Sequence, residues 1–248
     1  SDAAQAIGEG QMVEIRETGS ADLRNLAHSM NEMQARIAGL LRDQAKSFEA
    51  ISHDLRTPLA RQQLAADLIS DDEIAGLVRG SAEEMETMLQ SLQQYLRAQH
   101  LSAEPSFIDL EAAVRALLPS DGRQVRFTAG GAGHVRTYAE PLLLAVQALI
   151  ENAARFGDVV EVAIRQESGL WLIEIGDNGP GIPADHFEDI LAPFFRLDEA
   201  RARDTKGFGL GIPTAHRLLR RFGGNLSFRN ADEGGLVVCV EVPQPKVV

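Results

Sequence analysis

Apolar residues in the first third of the chain recur at intervals of three and four. Leu23, Leu26, Met30, Met33, Ile37 and Leu41 form a seam from Gly19 to about Phe48, which predicts a coiled-coil helix with Ser20 at its N-cap. The seam continues through Ala45, Phe48, Ile51 and Leu55. Successive steps of four (33, 37, 41, 45) break the heptad there. They read either as a stutter that locally unwinds the coil, a suitable place for a signal-sensitive junction, or as an ordinary irregular bundle helix. A first hairpin helix is expected over about 44–69, a turn at Ser70-Asp71-Asp72-Glu73, and a second helix with Ile74, Leu77, Met85, Met88, Leu92 and Leu96 on one face. So short a turn makes the helices antiparallel neighbours. Two helices cannot bury so long a stripe by themselves, so pairing with a second copy into a four-helix bundle is expected.

From about Ser106 the pattern changes. Residues 159–165, 170–176, 225–229 and 236–242 read as paired strands, and 110–118, 141–156 and 212–222 as helices. Strands on one side with helices packed on the other predict an α+β sandwich, and 100–105 is the hinge before it.

Composition supports two folded regions in the 248 residues, and 44% hydrophobic with only 5% aromatic content favours helices packed through aliphatic side chains. A net charge of -12 argues against nucleic-acid binding, which needs a basic face. The single Cys239 excludes an internal disulfide. Its apolar neighbours predict a buried reduced thiol in a cytoplasmic setting. No run approaches the ~20 apolar residues that span a bilayer, and no signal peptide is present. The start at Ser1, within what reads as an element, suits a soluble fragment of something longer.

The candidate chemistry begins at Ser52-His53-Asp54-Leu55-Arg56-Thr57-Pro58-Leu59. A neutral imidazole nitrogen is nucleophilic, and Asp54 can accept the Nδ1 proton so that Nε2 is free to attack. Adjacent helical residues diverge by ~100°, so the contact is not automatic. Pro58 offers no N–H to the Asp54 carbonyl, which predicts a bend beside the pair, and Thr57 shares a face with His53.

Three segments suited to a nucleotide follow. Asp177-Asn178-Gly179-Pro180-Gly181-Ile182 comes directly after a strand; the acid can take a hydrogen bond from an adenine amine while the glycines admit a flat ring. Alone it is also an ordinary Asx turn. Gly207-Phe208-Gly209-Leu210-Gly211 leads into a helix N-terminus, where N–H groups and the dipole favour phosphate, and Pro213 falls where a missing N–H costs little. In Glu151-Asn152-Ala153-Ala154-Arg155-Phe156, Asn152 can offer its carbonyl oxygen to Mg²⁺ or cap a helix end, and Arg155 shares its face. Residues 196–206, with Arg201, Arg203 and Lys206, read as a solvated loop or, between two nucleotide turns, as a mobile lid over ATP.

The order of Asn152 helix, Asp177 turn, Phe194-Phe195 and glycine turn resembles the N, G1, F and G2 boxes of the GHKL ATP-binding fold. With His53 upstream, nearly the whole chain resembles a bacterial sensor histidine kinase. Residues 52–59, 152–157 and Tyr95-Leu96-Arg97 look closest to the osmosensing branch. Gly8, Gly10 and Gly19 around Met12-Val13-Glu14-Ile15, followed by Met30-Asn31-Glu32-Met33, resemble the second half of a HAMP signal-relay domain.

The resemblance implies a partial HAMP segment over 1–45, a dimerisation and phosphotransfer hairpin over 46–101, and a GHKL-type α/β sandwich over 106–246. It implies an ATP-dependent protein-histidine kinase in which His53 is phosphorylated, Asp54 is the general base, and Thr57 places water to dephosphorylate a partner aspartate. Asn152 would bind Mg²⁺, Arg155 phosphate and Asp177 adenine. Gly207, Gly209 and Gly211 would flank the phosphates, with Phe156, Gly179, Gly181, Lys206 and Leu210 completing the ATP site. The implied partners are a response-regulator receiver domain and a second copy, with no nucleic acid. Membrane contact would come only through segments outside this chain, the cytoplasmic region of an inner-membrane sensor. His28, His100, His134, His186 and His216 lack such surroundings and read as surface or packing residues. One departure is Ala148, where relatives carry a polar residue and the ATP-hydrolysing branch a water-activating glutamate; Gln147 points to another face. The competing readings are a GHKL ATPase without a phosphoenzyme and a non-catalytic dimeric scaffold.

Overall fold

The three-and-four spacing produces one uninterrupted helix in the computed structural model, α1 (Ala21–Ala66), which crosses the boundary expected near residue 45. The structure describes residues 15–131, 133–197 and 207–245, without the side chains of Leu41, Arg42 and Ala45. The Gly8, Gly10 and Met12–Glu14 part of the expected connector, and Lys206 with Arg201 and Arg203, lie outside the described residues. The chain divides into two compact units, Ser1–His100 and Leu101–Val248.

Ser20 stands at the N-cap of α1, but its side chain makes no capping bond. The connector before the helix is tied instead by Asn31, which accepts from the Ile15 N–H at 3.0 Å and donates to the Ile15 carbonyl at 2.9 Å. α1 ends at Ala66, three residues before the expected end. α2 (Asp72–Ala98) then starts on a capping Asp71, whose Oδ1 accepts from Glu73 and Ile74 N–H at 3.0 and 3.1 Å. The hairpin closes through small side chains: Ala66, Ala75, Ala82 and Ala98 are buried, with Leu59 and Tyr95. Arg79–Asp67 at 2.9 Å and Arg56–Gln93 at 3.0 Å bridge the antiparallel pair. Larger aliphatics face outward, including Leu23, Met33, Ile51, Leu55, Leu64, Ile74, Leu77 and Met85, and Leu68 is 86% exposed. The apolar stripe is wider than one partner helix can cover.

In the second unit, β1 (Ser106–Asp109) leads into α3 (Leu110–Arg115), followed by β2 (Gln124–Ala129), β3 (His134–Thr137), α4 (Ala139–Phe156), β4 (Val159–Glu167) and β5 (Leu170–Asp177). Two 3₁₀ turns precede α5 (Gly211–Arg221), β6 (Asn225–Asn230) and β7 (Leu236–Glu241). Five strands form one sheet in the order β2-β4-β5-β7-β6, with β2 parallel to β4 and the other pairs antiparallel; β1 and β3 pair separately. Register puts Val162, Ile175 and Val238 in one row and Ile164, Ile173, Val240 and Leu226 in the next. These buried residues face Leu142, Val146, Leu149 and Ile150 of α4 and Ala215, Leu218 and Leu219 of α5, which close the core.

Strand alternation corrects the expectation for Cys239. It lies between the buried Val238 and Val240, so its side chain takes the opposite face, in register with Glu174 and Ser227, and is only half-buried. Partial burial, with Glu174 beside it, raises the thiol pKa. Among the described residues no helix is long and apolar enough to cross a membrane.

Candidate functional site

β5 ends on Asp177, whose half-buried carboxyl is held by backbone. Its Oδ1 accepts from the Gly179 N–H at 2.8 Å and from the Leu236 N–H at 3.4 Å, while Oδ2 makes no hydrogen bond among the described residues. Burial raises the Asp177 pKa, and the two N–H groups pull it partly back. The turn that follows is walled by main chain. A Cβ on Gly179 would lie 2.6 Å from the Phe156 carbonyl oxygen, and one on Gly157 2.8 Å from Asn178 Oδ1. Gly235 is tighter still: at φ +102°, its Cβ would fall 1.8 Å from the Asp177 carbonyl oxygen. Asn178 turns away from any ligand, because its Oδ1 accepts from Asp158 and Val159 N–H at 2.9 and 3.0 Å and so holds the α4–β4 connection.

The glycine turn meets α4 from the other side. Leu210, buried at the N-cap of α5, accepts from the Thr214 N–H at 2.9 Å and from Thr214 Oγ1 at 2.6 Å. The Gly211 and Ile212 N–H groups, in the first turn, have no intrahelical acceptor, and no side chain among the described residues caps them; Pro213 has no N–H to satisfy. A Cβ on Gly211 would sit 3.4 Å from the Ala148 carbonyl oxygen, and one on Gly207 2.6 Å from Arg155 Nη1. The glycine turn and the Asn152 helix are therefore brought together at Arg155. Burial lowers the Arg155 pKa; Glu151 opposes the shift and Arg196 adds to it. Gly209, at φ +66°, accepts from the Phe194 N–H at 3.0 Å, and Phe194 itself adopts φ +67°.

Asn152 is half-buried on α4, and its amide makes no hydrogen bond among the described residues. Gln147 donates to Glu151 Oε1 at 2.9 Å and does not replace the missing polar group at 148. No cluster of three or more His, Cys, Asp or Glu able to hold a metal occurs among the described residues. A lone amide oxygen on this helix fits Mg²⁺, which takes few protein ligands when phosphate oxygens supply the rest.

In the helical unit His53 and Asp54 are 79% and 86% exposed, with Nδ1 3.6 Å from Oδ1. That separation is longer than a hydrogen bond but leaves the two groups facing. Thr57 and Pro58 are also exposed, and α1 continues past Pro58 to Ala66. Ser52 is fully buried, and its hydroxyl has no partner among the described residues. Ser47, Thr87 and Ser91, by contrast, donate back to carbonyls one turn earlier. The other histidines have different surroundings: His28 pairs with Glu17 at 3.0 Å and His186 with Asp189 at 2.8 Å, which raise their pKa values, while burial lowers that of His216.

Sequence reading missed Gly157, Gly235, Leu236 and Asn230. The Gly234-Gly235 pair between two strands was a usable hairpin signal; Asn230 had none.

Residues 43–103 match the His Kinase A (phospho-acceptor) domain, and residues 137–246 match the histidine kinase-, DNA gyrase B-, and HSP90-like ATPase family. The chain is 27% identical over 232 residues to the sensor histidine kinase GtrS of Pseudomonas aeruginosa, covering 93% of this chain and 48% of the relative. It is 29% identical over 248 residues to the sensor protein RstB of Escherichia coli, covering 94% of this chain and 57% of the relative. The chain thus spans about half the length of these curated relatives. Its fold resembles that of full-length ShkA, solved in complex with AMPPNP, with a TM-score of 0.61 and 18% identity over 80% of this chain and 45% of that one.

The close approach at Gly235 makes Gly235→Ala costly, by about 3 kcal/mol or more in urea unfolding. Gly122→Ala, also at positive φ but in open space, should cost only about 1–2 kcal/mol. Equal losses would mean that the contact with Asp177 carries no weight. The carboxyl itself gives a pH signature. With a folded pKa above the unfolded one, its contribution is complete below the ordinary carboxylate range and is lost as pH rises through the raised value. Asp177→Asn should therefore be more stable than wild type at neutral pH. The gap in urea midpoint should close on acidification.

Proposed function

This chain belongs to the sensor histidine kinases, and on that premise we propose that it phosphorylates its own His53 from ATP and passes the phosphoryl group to an aspartate on the receiver domain of a response regulator. One combination carries the reading: an exposed His53 facing Asp54 occurs in the same chain as a glycine-walled, half-buried carboxyl at Asp177. His53 Nε2 attacks the γ-phosphorus, the bond to the β–γ bridging oxygen breaks, and ADP leaves, while Asp54 draws the Nδ1 proton. Asp177 takes the adenine amine on Oδ2, the oxygen its backbone partners leave open, with Phe156, Gly179 and Gly181 around the base. Arg155, Gly207, Gly209, Leu210 and Gly211 hold the phosphates at the start of α5, and Lys206, outside the described residues, is assigned to the same group from the sequence. Asn152 offers its amide oxygen to Mg²⁺, which when bound neutralises phosphate charge.

Ala148 places no acid beside this site to activate water, which favours transfer to His53 over simple ATP hydrolysis. Thr57, exposed one turn after His53, orients water for removing phosphate from the regulator. The outward aliphatics of α1 and α2 are the seam for a second copy, forming a four-helix bundle, with residues 1–45 as the partial HAMP relay, 46–101 as the phosphotransfer hairpin and 106–246 as the catalytic unit. Because ATP is the donor, the chain works on the cytoplasmic side, as part of an inner-membrane sensor.

Incubation with [γ-³²P]ATP should label the wild-type chain in an acid-labile, base-stable form, and His53→Gln should reduce the label to background. Equal labelling of the variant would remove His53 as acceptor, and steady phosphate release without any phosphoprotein would indicate an ATPase instead. Thr57→Ala should slow dephosphorylation of the phosphorylated regulator by about tenfold or more, with His53 labelling retained. Loss of both activities together would assign Thr57 to the hairpin's structure.

A further inference from the structure

We infer that Asn230 is a positioning residue for the nucleobase end of the site, clamping the backbone of Ile182 so that one chosen oxygen of Asp177 faces the base. The inference rests on the proposed reading of Asp177 as the group that meets adenine.

Asn230 is the last residue of β6, on the hairpin that returns through Gly235 to β7. Its Nδ2 donates to the Ile182 carbonyl at 2.8 Å, and its Oδ1 accepts from the Ile182 N–H at 3.0 Å. One amide thus fixes both polar groups of a single backbone residue, which a purely apolar contact cannot do. The fit requires glycine beside it: a Cβ on Gly181 would lie 2.7 Å from Asn230 Oδ1 and 3.2 Å from the Gly235 carbonyl oxygen. The same hairpin grips the other end of the turn, where the Leu236 N–H reaches Asp177 Oδ1. The 177–182 turn is therefore held at its entrance by Leu236 and at its exit by Asn230.

This arrangement bears on base choice. Adenine presents an amine donor where guanine presents a carbonyl acceptor. A carboxylate oxygen held in place accepts from the first and repels the second. With the exit of the turn unclamped, Asp177 can swing and the Ile182 N–H becomes available to an acceptor, so the preference for adenine should fall. The Asn230 side chain is exposed and contributes no core packing, so the effect should appear in binding rather than in stability.

The test uses the full chain, with ADP and GDP titrated by calorimetry and thermal melting measured in parallel. Asn230→Ala should weaken ADP binding by about tenfold and reduce the ADP-to-GDP preference, with little change in melting temperature. Asn230→Asp keeps the size and the acceptor but sets a carboxylate against the Ile182 carbonyl, and should behave like the alanine variant. An unchanged ADP-to-GDP ratio in both variants would overturn the clamp. So would a ratio that falls only alongside a large melting loss in Asn230→Ala while Asn230→Asp stays normal. Asp177→Asn separates the two levels. ADP binding that survives it removes the adenine reading and the clamp together; binding lost there, with normal Asn230 variants, defeats the clamp alone.

Discussion

Asp177 can be half-buried at the end of a strand only because main-chain N–H groups reach its carboxyl from two directions, one from its own turn and one from the neighbouring hairpin. That convergence demands that three stretches of backbone approach more closely than side chains permit. Gly157, Gly179 and Gly235 meet the demand, each at a point where a Cβ would collide with a carbonyl or with the Asp177–Asn178 segment. The loop from α4 to β4, the turn after β5 and the β6–β7 hairpin are consequently one interlocked body. The raised pKa of Asp177 is its electrostatic signature: the carboxyl has traded water for two N–H groups that do not fully replace it.

The helical unit works on a different principle. It buries small residues between its two helices and leaves large aliphatics outside, the inverse of a self-sufficient hairpin. His53 is exposed on that surface, which leaves its imidazole accessible, as the proposed phosphoryl transfer requires. The buried hydroxyl of Ser52 directly before it has no partner among the described residues, a cost of about 1–3 kcal/mol.

Much of this is legible in the amino-acid sequence. The long helices follow from three-and-four spacing and the four longer antiparallel strands from alternation; the turn expected at 70–73 lies instead at 67–71, because Asp71 caps α2 and its acidic followers Asp72 and Glu73 form the first turn of that helix. The weak elements were not readable. β1 and β3 are four residues each and pair only with one another, and β2 owes its place to parallel pairing with β4. Such strands are made by their neighbours, not by local preference. Cys239 failed for a related reason: an apolar run shows burial on average, while alternation decides which members point inward.

What the sequence determined by itself were the features carried by local chemistry. These are the histidine–acid pair, the helix that bears it, the acid and glycines after β5, and the glycines leading into α5, all of which depend on residues close along the chain. Tertiary structure decided which distant groups complete them: Arg155 against Gly207, Leu236 on Asp177, Asn230 on Ile182. These contacts span tens of residues, and the groups that make them have no signature until the sheet sets their register. The physical reason is that a backbone clamp needs only a donor and an acceptor at the right place. An asparagine anywhere in the chain carries both, and only the placement of the strands decides that Asn230 is the one that meets Ile182.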